Sequence, residues 1–217
     1  MSSIISIDRS LQVDQLGVID YLKAWQLQKD IQAKVILGQT PNTLLLLEHP
    51  SVYTAGRRTQ ALDRPTNGTP VIDVDRGGKI TWHGLGQIIG YPIIKLKNGT
   101  DVVGFVRELE NCLIEIAKEF GVVAQRYCER SGVWIRDEKG DRKIAAIGLR
   151  VSKGVTMHGF ALNVNPNLSA FDQIVPCGII DAKVTSLAVE LNRLITIEEV
   201  MPVLLKHINP MLERVSI

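Results

Sequence analysis

The stretch VWIRDEKGDRKIAAIGLRV, residues 133–151, holds two apolar runs separated by the polar segment DEKGD. Runs of β-branched and aromatic residues that flank a short polar segment with a glycine are typical of a β-hairpin. Gly140 suits the turn, because glycine adopts backbone conformations that other residues avoid. VTMHGFALNVN, residues 155–165, continues the strand pattern. The central part of the chain is therefore predicted to form several strands, at least two of them antiparallel.

Helical patterns lie on both sides of this strand-rich region. Apolar residues of DVVGFVRELENCLIEIAKEFG, residues 101–121, recur at helical spacing and the pattern closes at Gly121. Residues 14–38 also predict an amphipathic helix, and two more are predicted over residues 184–192 and 196–215. Thr196 followed by Glu199 three residues later is a capping-box pattern for the last of these helices.

The order of these elements predicts the fold class. TLLLLEHP, residues 43–50, holds an apolar run too short for an ordinary helix, which favours a buried strand. The order is then helix, strands, helix, strands and helices, which predicts an α+β fold with a mixed, largely antiparallel sheet flanked by helices. Regular alternation of strand and helix is missing, which argues against a Rossmann fold. The length fits a single domain over residues 1–217.

Composition narrows the class of protein. There are 25 basic and 23 acidic residues spread along the chain, without the basic stripe that phosphate backbones require, so nucleic acid is not an expected partner. No run of about 20 apolar residues is present to cross a membrane. We expect a cytoplasmic protein that binds no membrane. The three cysteines Cys112, Cys128 and Cys177 form neither a disulfide framework nor a CxxC metal pair.

A glycine-rich segment is the first candidate for a ligand site. RGGKITWHGLGQIIGYPI, residues 76–93, contains five glycines among basic and aromatic residues. Glycines allow close approach of the backbone to a ligand and expose amide donors. The segment matches no nucleotide-binding motif, and its glycines could equally serve turns and bulges in twisted strands. Arg76, Lys79, Trp82 and His83 in the same segment favour a ligand site.

Three histidines, His49, His83 and His158, each lie beside proline or glycine at the end of an apolar segment. Structural hydrogen bonding is the simpler role for each of them. A metal site is the sharper alternative, but no HxH or HExxH spacing is present. No metal or other cofactor is therefore predicted. His207, in the last predicted helix, is expected to be solvated.

Lys143 and Cys177 are the candidates for covalent chemistry. Lys143 directly precedes the apolar run IAAI, so its side chain could lie at the wall of a cavity or simply at an exposed strand start. Cys177 lies between proline and glycine, where a thiol has no evident packing role, although such thiols also occur without function. A cation beside a thiol lowers the pKa of that thiol and populates the nucleophilic thiolate. Together the two residues could accept an acyl group as a thioester and pass it to an amine.

Four blocks of the sequence resemble a known family. They are LLLEHPSVYTAGR (45–57), DRGGKITWHGLGQIIGYPI (75–93), RKIAAIGLRVSKGVTMHGFALNV (142–164), and PCGI (176–179) followed by VTSL (184–187). In these blocks, over nearly the whole chain, the sequence closely resembles the bacterial lipoyl(octanoyl) transferases. The resemblance implies the fold of the biotin and lipoate protein ligases and an acyl-enzyme mechanism that needs no cofactor.

The resemblance also implies roles for individual residues. Cys177 would be the nucleophile, and Lys143 would lower the pKa of its thiol and move the proton. His83 and His158 would lie beside this centre, with His158 and His49 in supporting roles. The acyl chain would be bound by three segments, whose residues are Arg76, Gly77, Gly78, Lys79, Ile80, Thr81, Trp82 and His83, then Ala146, Ile147 and Gly148, then Gly159, Phe160 and Ala161.

One position departs from the family pattern. Many members have HGPGQ, whereas this chain has HGLGQ, with Leu85 in place of proline. Loss of the proline relaxes the backbone and adds an apolar side chain, which bears on the rigidity of the loop and on acyl-chain length.

The resemblance implies partners as well. Octanoyl-acyl carrier protein would be the donor, and lipoyl domains of the oxo-acid dehydrogenase E2 subunits and of the glycine cleavage H protein would be the acceptors. The carrier is acidic, so a locally basic docking face is expected, with Arg57, Arg58, Lys79, Arg150 and Lys153 as candidates. The predicted terminal helices show no exposed heptad seam, which favours a monomer.

Three other functions compete with this assignment. An ATP-dependent lipoate or biotin protein ligase on the same fold would need a lysine for the adenylate but not the cysteine. A carrier-binding module could keep the fold and lose the chemistry, although the presence of both Lys143 and Cys177 argues against it. A redox or metal sensor would use Cys177 and the histidines and would hold zinc.

Overall fold

The computed structural model describes residues 11–99, 101–127, 130–174 and 183–217. Its helices are α1 (Tyr21–Ile36), α2 (Val102–Glu119), α3 (Leu187–Leu191) and α4 (Ile197–Val215). Its strands are β1 (Gln12–Val18), β2 (Thr43–Glu48), β3 (Val52–Ala55), β4 (Val71–Asp73), β5 (Ile80–His83), β6 (Gln87–Ile93), β7 (Gln125–Tyr127), β8 (Arg130–Asp137), β9 (Gly140–Ser152), β10 (Val155–Asn163) and β11 (Lys183–Val184).

Within these residues the strands form one large and one small sheet. The large sheet has the order β1-β2-β6-β10-β9-β8-β7, and β11 pairs with β9 beside this row. Its pairs are antiparallel except β1 with β2 and β11 with β9. The small sheet has the order β4-β3-β5. The predicted α+β class with a mixed, largely antiparallel sheet is confirmed.

The large sheet buries both of its faces. Leu44 and Leu46 of β2 pack with α2 and α4 in the main core, whereas Leu45 and Leu47 of the same strand pack with α1 on the opposite face. This division follows from the period of two in a strand, which turns successive side chains to opposite faces. The continuous apolar run of β2 is explained by burial on both sides.

Most helix predictions are confirmed, with one correction at the amino-terminal end. The helix predicted from residue 14 begins at Tyr21, because the Asp20 carboxylate accepts a hydrogen bond from the Lys23 amide at 3.1 Å and caps it. Residues 12–18 instead form strand β1 along the edge of the sheet. The apolar spacing misplaced the start of the helix, and Val18 and Leu22 are more than half exposed.

The hairpin and the N-cap of the last helix lie where the sequence placed them. β8 and β9 pair across a turn in which Gly140 has φ of 94°. Thr196 caps α4 by accepting the Glu199 amide at 3.3 Å, while the Glu199 carboxylate is paired with Arg193. Among the described residues, no helix is long and apolar enough to span a membrane.

Candidate active site

A cavity of about 270 Å³ lies where the small sheet meets β9 and β10 of the large sheet. It is lined by most of the residues that the resemblance assigned to substrate binding, together with Lys143 and His158. Gly77, Trp82 and His49 belong to neighbouring structure and are not among its lining residues. Cys177 lies outside the described residues. The lining members of the predicted set are Arg76, Gly78, Lys79, Ile80, Thr81, His83, Ala146, Ile147, Gly148, Gly159, Phe160 and Ala161.

The β9–β10 ladder brings two of the three predicted segments together. In the antiparallel register Ala146 faces Ala161, and Gly148 faces Gly159. These four small residues leave space above the sheet that larger side chains would occupy. Backbone packing beneath them is tight, because a Cβ atom on Gly159 would overlap the carbonyl oxygen of Gly90. The pairing therefore forms a cavity wall of low bulk on a rigid backbone.

The third segment folds around the guanidinium group of Arg76. Arg76 is 8% exposed and donates to the carbonyl oxygens of Thr54, Gly77 and Lys79 at 2.8 to 3.0 Å. The carbonyl oxygen of Gly78, where φ is 85°, accepts the Arg58 amide. The glycine-rich loop thus obtains its shape from a buried cation, and several of its carbonyl groups face inward.

Lys143 lies in the wall of the cavity, as one of the two sequence interpretations expected. Its side chain is nearly buried, at 7% exposure, and its Nζ atom donates to the carbonyl oxygen of Ser131 at 3.0 Å. The same atom lies 4.6 Å from the centre of the Trp134 ring. The carbonyl group and the aromatic face together restrict the position of the Lys143 side chain.

The chain returns to Lys143 after the segment that contains Cys177. Val184 of β11 pairs with Lys143, and the Thr185 amide donates to the Lys143 carbonyl oxygen at 2.9 Å. Arg142 holds the same region, since it forms ion pairs with Asp137 and Glu190. Lys183 follows Cys177 by six positions in the sequence, and it pairs with Arg142, the neighbour of Lys143.

A directed chain of hydrogen bonds begins at His83. Its Nδ1 atom lies 3.3 Å from Gln87 Oε1, Gln87 Nε2 donates to Asn163 Oδ1 at 2.9 Å, and Asn163 Nδ2 donates to the Thr185 carbonyl oxygen at 2.8 Å. Burial lowers the pKa of His83 well below its ordinary value. The imidazole is therefore neutral with its proton on Nδ1, and Nε2 keeps a lone pair.

Two tyrosines and His49 complete this end of the site. His49 Nδ1 lies 2.7 Å from the Ile19 carbonyl oxygen and Nε2 lies 2.8 Å from the Tyr91 hydroxyl. Burial lowers the pKa of His49, so the neutral ring donates to Ile19 and accepts from Tyr91. Tyr21 stacks on His83 with ring centres 6.2 Å apart, and burial raises the pKa of Tyr21 to about 12.

His158 is held by an aspartate that precedes the glycine-rich loop. Its Nε2 atom lies 2.7 Å from Asp75 Oδ1, and Asp75 also contacts Arg150. The hydrogen bond from His158 lowers the pKa of Asp75 to about 2, whereas burial lowers the pKa of His158. A neutral imidazole therefore donates to an ionised carboxylate. His158 has φ of 60°, a conformation rare for a residue with a side chain, so the backbone is strained at this position.

These contacts bear on the metal hypothesis for the histidines. No group of three or more potential histidine, cysteine, aspartate or glutamate ligands occurs in the parts of the chain that the structure describes. Both ring nitrogens of His49 already have protein partners. His49, His83 and His158 each have a hydrogen-bond partner in the protein, as the simpler interpretation of the sequence expected.

Several cavity residues were missed by sequence reasoning. They are Tyr21, Tyr91, Ser131 and Arg130 as lining groups, with Asp75, Gln87 and Asn163 behind them. Arg58, which the sequence offered only as a docking candidate, also lines the cavity. Asp75 and Gln87 lie in the family block of residues 75–93, so their position beside His158 and His83 could have been suspected. Nothing in the sequence pattern singles out Ser131, because it acts through its backbone carbonyl group.

Comparison with known proteins gives this arrangement a family. Residues 20–209 match the lipoyl protein ligase A/B catalytic domain. The octanoyltransferase of Salinispora tropica is 53% identical over 205 residues, covering 94% of this chain and 96% of the relative. That of Mycolicibacterium smegmatis is 55% identical, covering 92% and 88%.

The chain belongs to the octanoyltransferases of the lipoyl protein ligase A/B family.

Solved structures agree with this placement at the level of the fold. A bipartite lipoate protein ligase from Thermoplasma acidophilum superposes with a TM-score of 0.71 at 15% identity, covering 94% of this octanoyltransferase chain and 84% of the ligase. Biotin protein ligase from Aquifex aeolicus superposes with a TM-score of 0.56 at 16% identity, covering 94% and 71%. The expected ligase-like fold is confirmed.

Proposed function

We propose that this enzyme transfers an octanoyl group from octanoyl-acyl carrier protein to a lysine of lipoyl domains through a thioester on Cys177. The curated relatives that cover nearly the whole chain are octanoyltransferases. The observation that carries the mechanism is the Lys143 ammonium group, held at 7% exposure in the wall of the cavity. A fixed cation there favours a neighbouring thiolate.

The first step exchanges one thioester for another. The Cys177 thiolate attacks the octanoyl carbonyl carbon, the bond from that carbon to the carrier thiol breaks, and Lys143 gives a proton to the departing thiolate. The acyl chain then extends along Ile80, Ile147 and Phe160, which line the cavity. Both sides of the exchange contain one thioester and one thiol, so little free energy is needed.

The second step forms the amide. The ε-amine of the acceptor lysine attacks the Cys177 thioester, the carbon–sulfur bond breaks, and the proton lost by the amine returns to the now neutral Lys143. No nucleotide or metal enters either step. Backbone amides that bind the developing oxyanion would contribute about 3 to 4 kcal/mol each to the barrier reduction.

The neutral histidines give the site a defined polar end. His83 and His158 line the cavity beside the acyl-binding strands, and His49 supports them through Tyr91. Because burial keeps the pKa values of all three below the ordinary value, they add no further positive charge beside Lys143. This protects the acceptor amine from an additional repulsive cation.

The carrier and the acceptor would dock at the mouth of the cavity. Arg57 and Arg58 are exposed, and Arg58 lines the cavity together with the partly buried Arg130. Lys79 and Arg150 are instead paired with Asp63 and Asp75, which weakens their candidacy for docking. Arg58 and Arg130 are therefore the leading candidates for docking an acidic carrier. The enzyme is proposed to act as a monomer.

Intact-protein mass spectrometry tests this function. The enzyme is mixed with octanoyl-carrier protein in the absence of ATP, beside the Cys177→Ser variant. A hydroxylamine-labile octanoyl adduct on the native protein that is absent from the variant is expected. Addition of a lipoyl domain should remove the adduct and add one octanoyl group to that domain.

The same experiment separates the alternatives. Acylation of the lipoyl domain that requires free octanoate and ATP would identify a ligase, although the ligase structures share only 15% to 16% identity with this chain. Binding of the carrier without any adduct or turnover would identify a carrier-binding module. Stoichiometric zinc by elemental analysis would identify a metal sensor.

A further inference from the structure

A carboxylate is buried in the middle of helix α2, on the side that faces the sheet. Glu110 is 0% exposed. Its Oε1 atom accepts the Gly132 amide at 3.0 Å, and its Oε2 atom accepts from Arg107 Nη1 at 2.6 Å. A buried carboxylate is costly unless its partners compensate for lost hydration. Arg107 and Arg126, whose Nε atom lies 3.9 Å from Oε2, balance the charge of Glu110, and Oε1 is left to bind the Gly132 amide.

The group that Glu110 binds also holds Lys143. The Gly132 amide and the Ser131 carbonyl belong to one peptide unit, and that carbonyl oxygen accepts from Lys143 Nζ at 3.0 Å. A trans peptide is planar, and its N–H and C=O bonds point in opposite directions. Glu110 and Lys143 therefore bind the two ends of a single rigid group.

Regular sheet pairing does not fix this peptide. The register between β8 and β9 shifts between Val133 and Trp134, and Gly132 has φ of 117°. A Cβ atom at Gly132 would lie 2.5 Å from the Ala145 carbonyl oxygen and 3.2 Å from Lys143 Cε. The strand is irregular where it passes Lys143, so its orientation there depends on a group from outside the ladder.

We propose that Glu110 is a positioning residue for Lys143, acting through the Ser131–Gly132 peptide. The carboxylate fixes the direction of the Ser131 carbonyl group and polarises it, because hydrogen bonds in a chain strengthen one another. The carbonyl oxygen then holds the ammonium group at the wall of the cavity. This inference rests on the proposed function, in which Lys143 acts on the Cys177 thiol.

A matched pair of variants tests the proposal. Glu110→Gln and Glu110→Met both remove the charge at nearly constant volume, but only glutamine keeps an oxygen for the Gly132 amide. The rate of alkylation of Cys177 by iodoacetamide is followed against pH by peptide mass spectrometry, together with kcat and KM. Each variant is made in the native chain and in Lys143→Met, with thermal unfolding to verify folding. Glu115→Gln, at the exposed side of α2, is the control.

The methionine variant should lower kcat about tenfold, leave KM within about twofold, and raise the midpoint of alkylation toward the ~8.5 of a free thiol. Glu110→Gln should keep kcat within about threefold of the native value. In the Lys143→Met background, Glu110→Met should change the alkylation rate less than about twofold, because the effect of Glu110 passes through Lys143. Should the methionine variant not fold, Glu110→Asp, too short to reach Gly132, takes its place.

Two results would overturn the proposal. If Cys177 had the same alkylation midpoint in Glu110→Met as in the native enzyme, Glu110 would not act on Lys143 and the Cys177 thiol. An equal loss in both backgrounds would show a general structural role. Failure of the proposed function looks different: Cys177 in the native enzyme would then titrate as an ordinary thiol, Lys143→Met would leave its midpoint unchanged, and the inference about Glu110 would fall with it.

Discussion

Lys143 and Trp134 face each other across the β8–β9 ladder, with the ammonium nitrogen 4.6 Å from the centre of the indole ring. Trp134 is 1% exposed, so the ring is a fixed surface. The ring face attracts a cation but offers no strong proton acceptor. The pair thus restrains the position of the ammonium group without removing its ability to give a proton to a reacting group.

Replacement of Lys143 by methionine should abolish most acyl transfer without unfolding the enzyme. The side chains are similar in size, and loss of a nearly buried cation removes a desolvation cost. We expect kcat/KM to fall by roughly 10²- to 10⁴-fold, the range for loss of a general acid or base, with stability unchanged or higher. Steady-state octanoyl transfer and urea unfolding measure the two effects.

Two further variants control this prediction. Lys143→Arg keeps a cation but cannot release its proton, so thiolate formation should survive better than turnover. Lys139→Met, in the exposed β8–β9 turn, should behave as the native enzyme. Comparable transfer rates for Lys143→Met and the native enzyme would remove Lys143 from the mechanism.

Alanine at Gly159 should be strongly destabilising, whereas alanine at the nearby Gly77 should be tolerated. The Cβ atom at Gly159 would overlap the Gly90 carbonyl oxygen, and backbone in the centre of a sheet cannot easily move. At Gly77 the nearest atom, the Leu149 carbonyl oxygen, is at an ordinary 3.4 Å. We expect losses of about 2 to 4 kcal/mol and under about 1 kcal/mol respectively in urea unfolding. Similar losses at both sites would contradict the packing described for the cavity wall.

The neutral histidines predict how stability depends on pH. Burial lowers the pKa values of His49, His83 and His158 in the folded protein, whereas in the unfolded chain they are near 6.5. As the pH falls below about 6.5, the unfolded state binds protons that the folded state does not, and stability is lost at up to about 1.4 kcal/mol per pH unit for each histidine.

Urea unfolding at several pH values measures this effect. Stability should be nearly constant from about pH 7.5 to 8.5 and should fall by at least about 2 kcal/mol between pH 7.5 and 5.5. His83→Gln should reduce that fall by about the contribution of one proton, about 1 kcal/mol. A flat profile down to pH 5.5 would mean that the histidines are protonated in the folded enzyme.

The fold could be predicted from the sequence wherever a local pattern determines the structure. The period of α2, the turn at Gly140 and the cap at Thr196 each depend on neighbouring residues. The start of α1 was misplaced because β1 is an edge strand without a buried residue, and its pairing with β2 depends on distant sequence. An apolar spacing that fits a helix also occurs by chance in such a strand.

The functional side chains of the site could be predicted from the sequence, but the backbone groups that hold them could not. Lys143, His83 and His158 stood out because each is a titratable residue at the end of an apolar segment. The contribution of Ser131 is a carbonyl group, which every residue has, and that of Glu110 is a charge buried by tertiary packing in a helix that its sequence alone describes as amphipathic. Such contacts depend on the crossing of α2 with β8 and leave no local pattern in the sequence.

The arginines at the mouth of the cavity should govern capture of the donor and not its chemistry. Arg58, Arg130 and Lys143 all line the cavity, and the two arginines are more exposed than Lys143. Electrostatic complementarity mainly raises the association rate, so Arg58→Gln and Arg130→Gln should each raise KM for octanoyl-carrier protein about three- to tenfold and leave kcat within about twofold. Steady-state kinetics with the carrier varied at two salt concentrations measures this.

Salt and substrate choice distinguish docking from damage to the site. Exposed charges are screened by salt, so the native KM should rise with ionic strength and approach the KM of the two arginine variants. With octanoyl-pantetheine, which lacks the acidic carrier, the native enzyme and both variants should react alike. Lys118→Gln, an exposed charge on α2, should keep the native KM. If the arginine variants lose activity equally toward octanoyl-pantetheine, these residues shape the cavity itself, and the carrier must dock on a different surface.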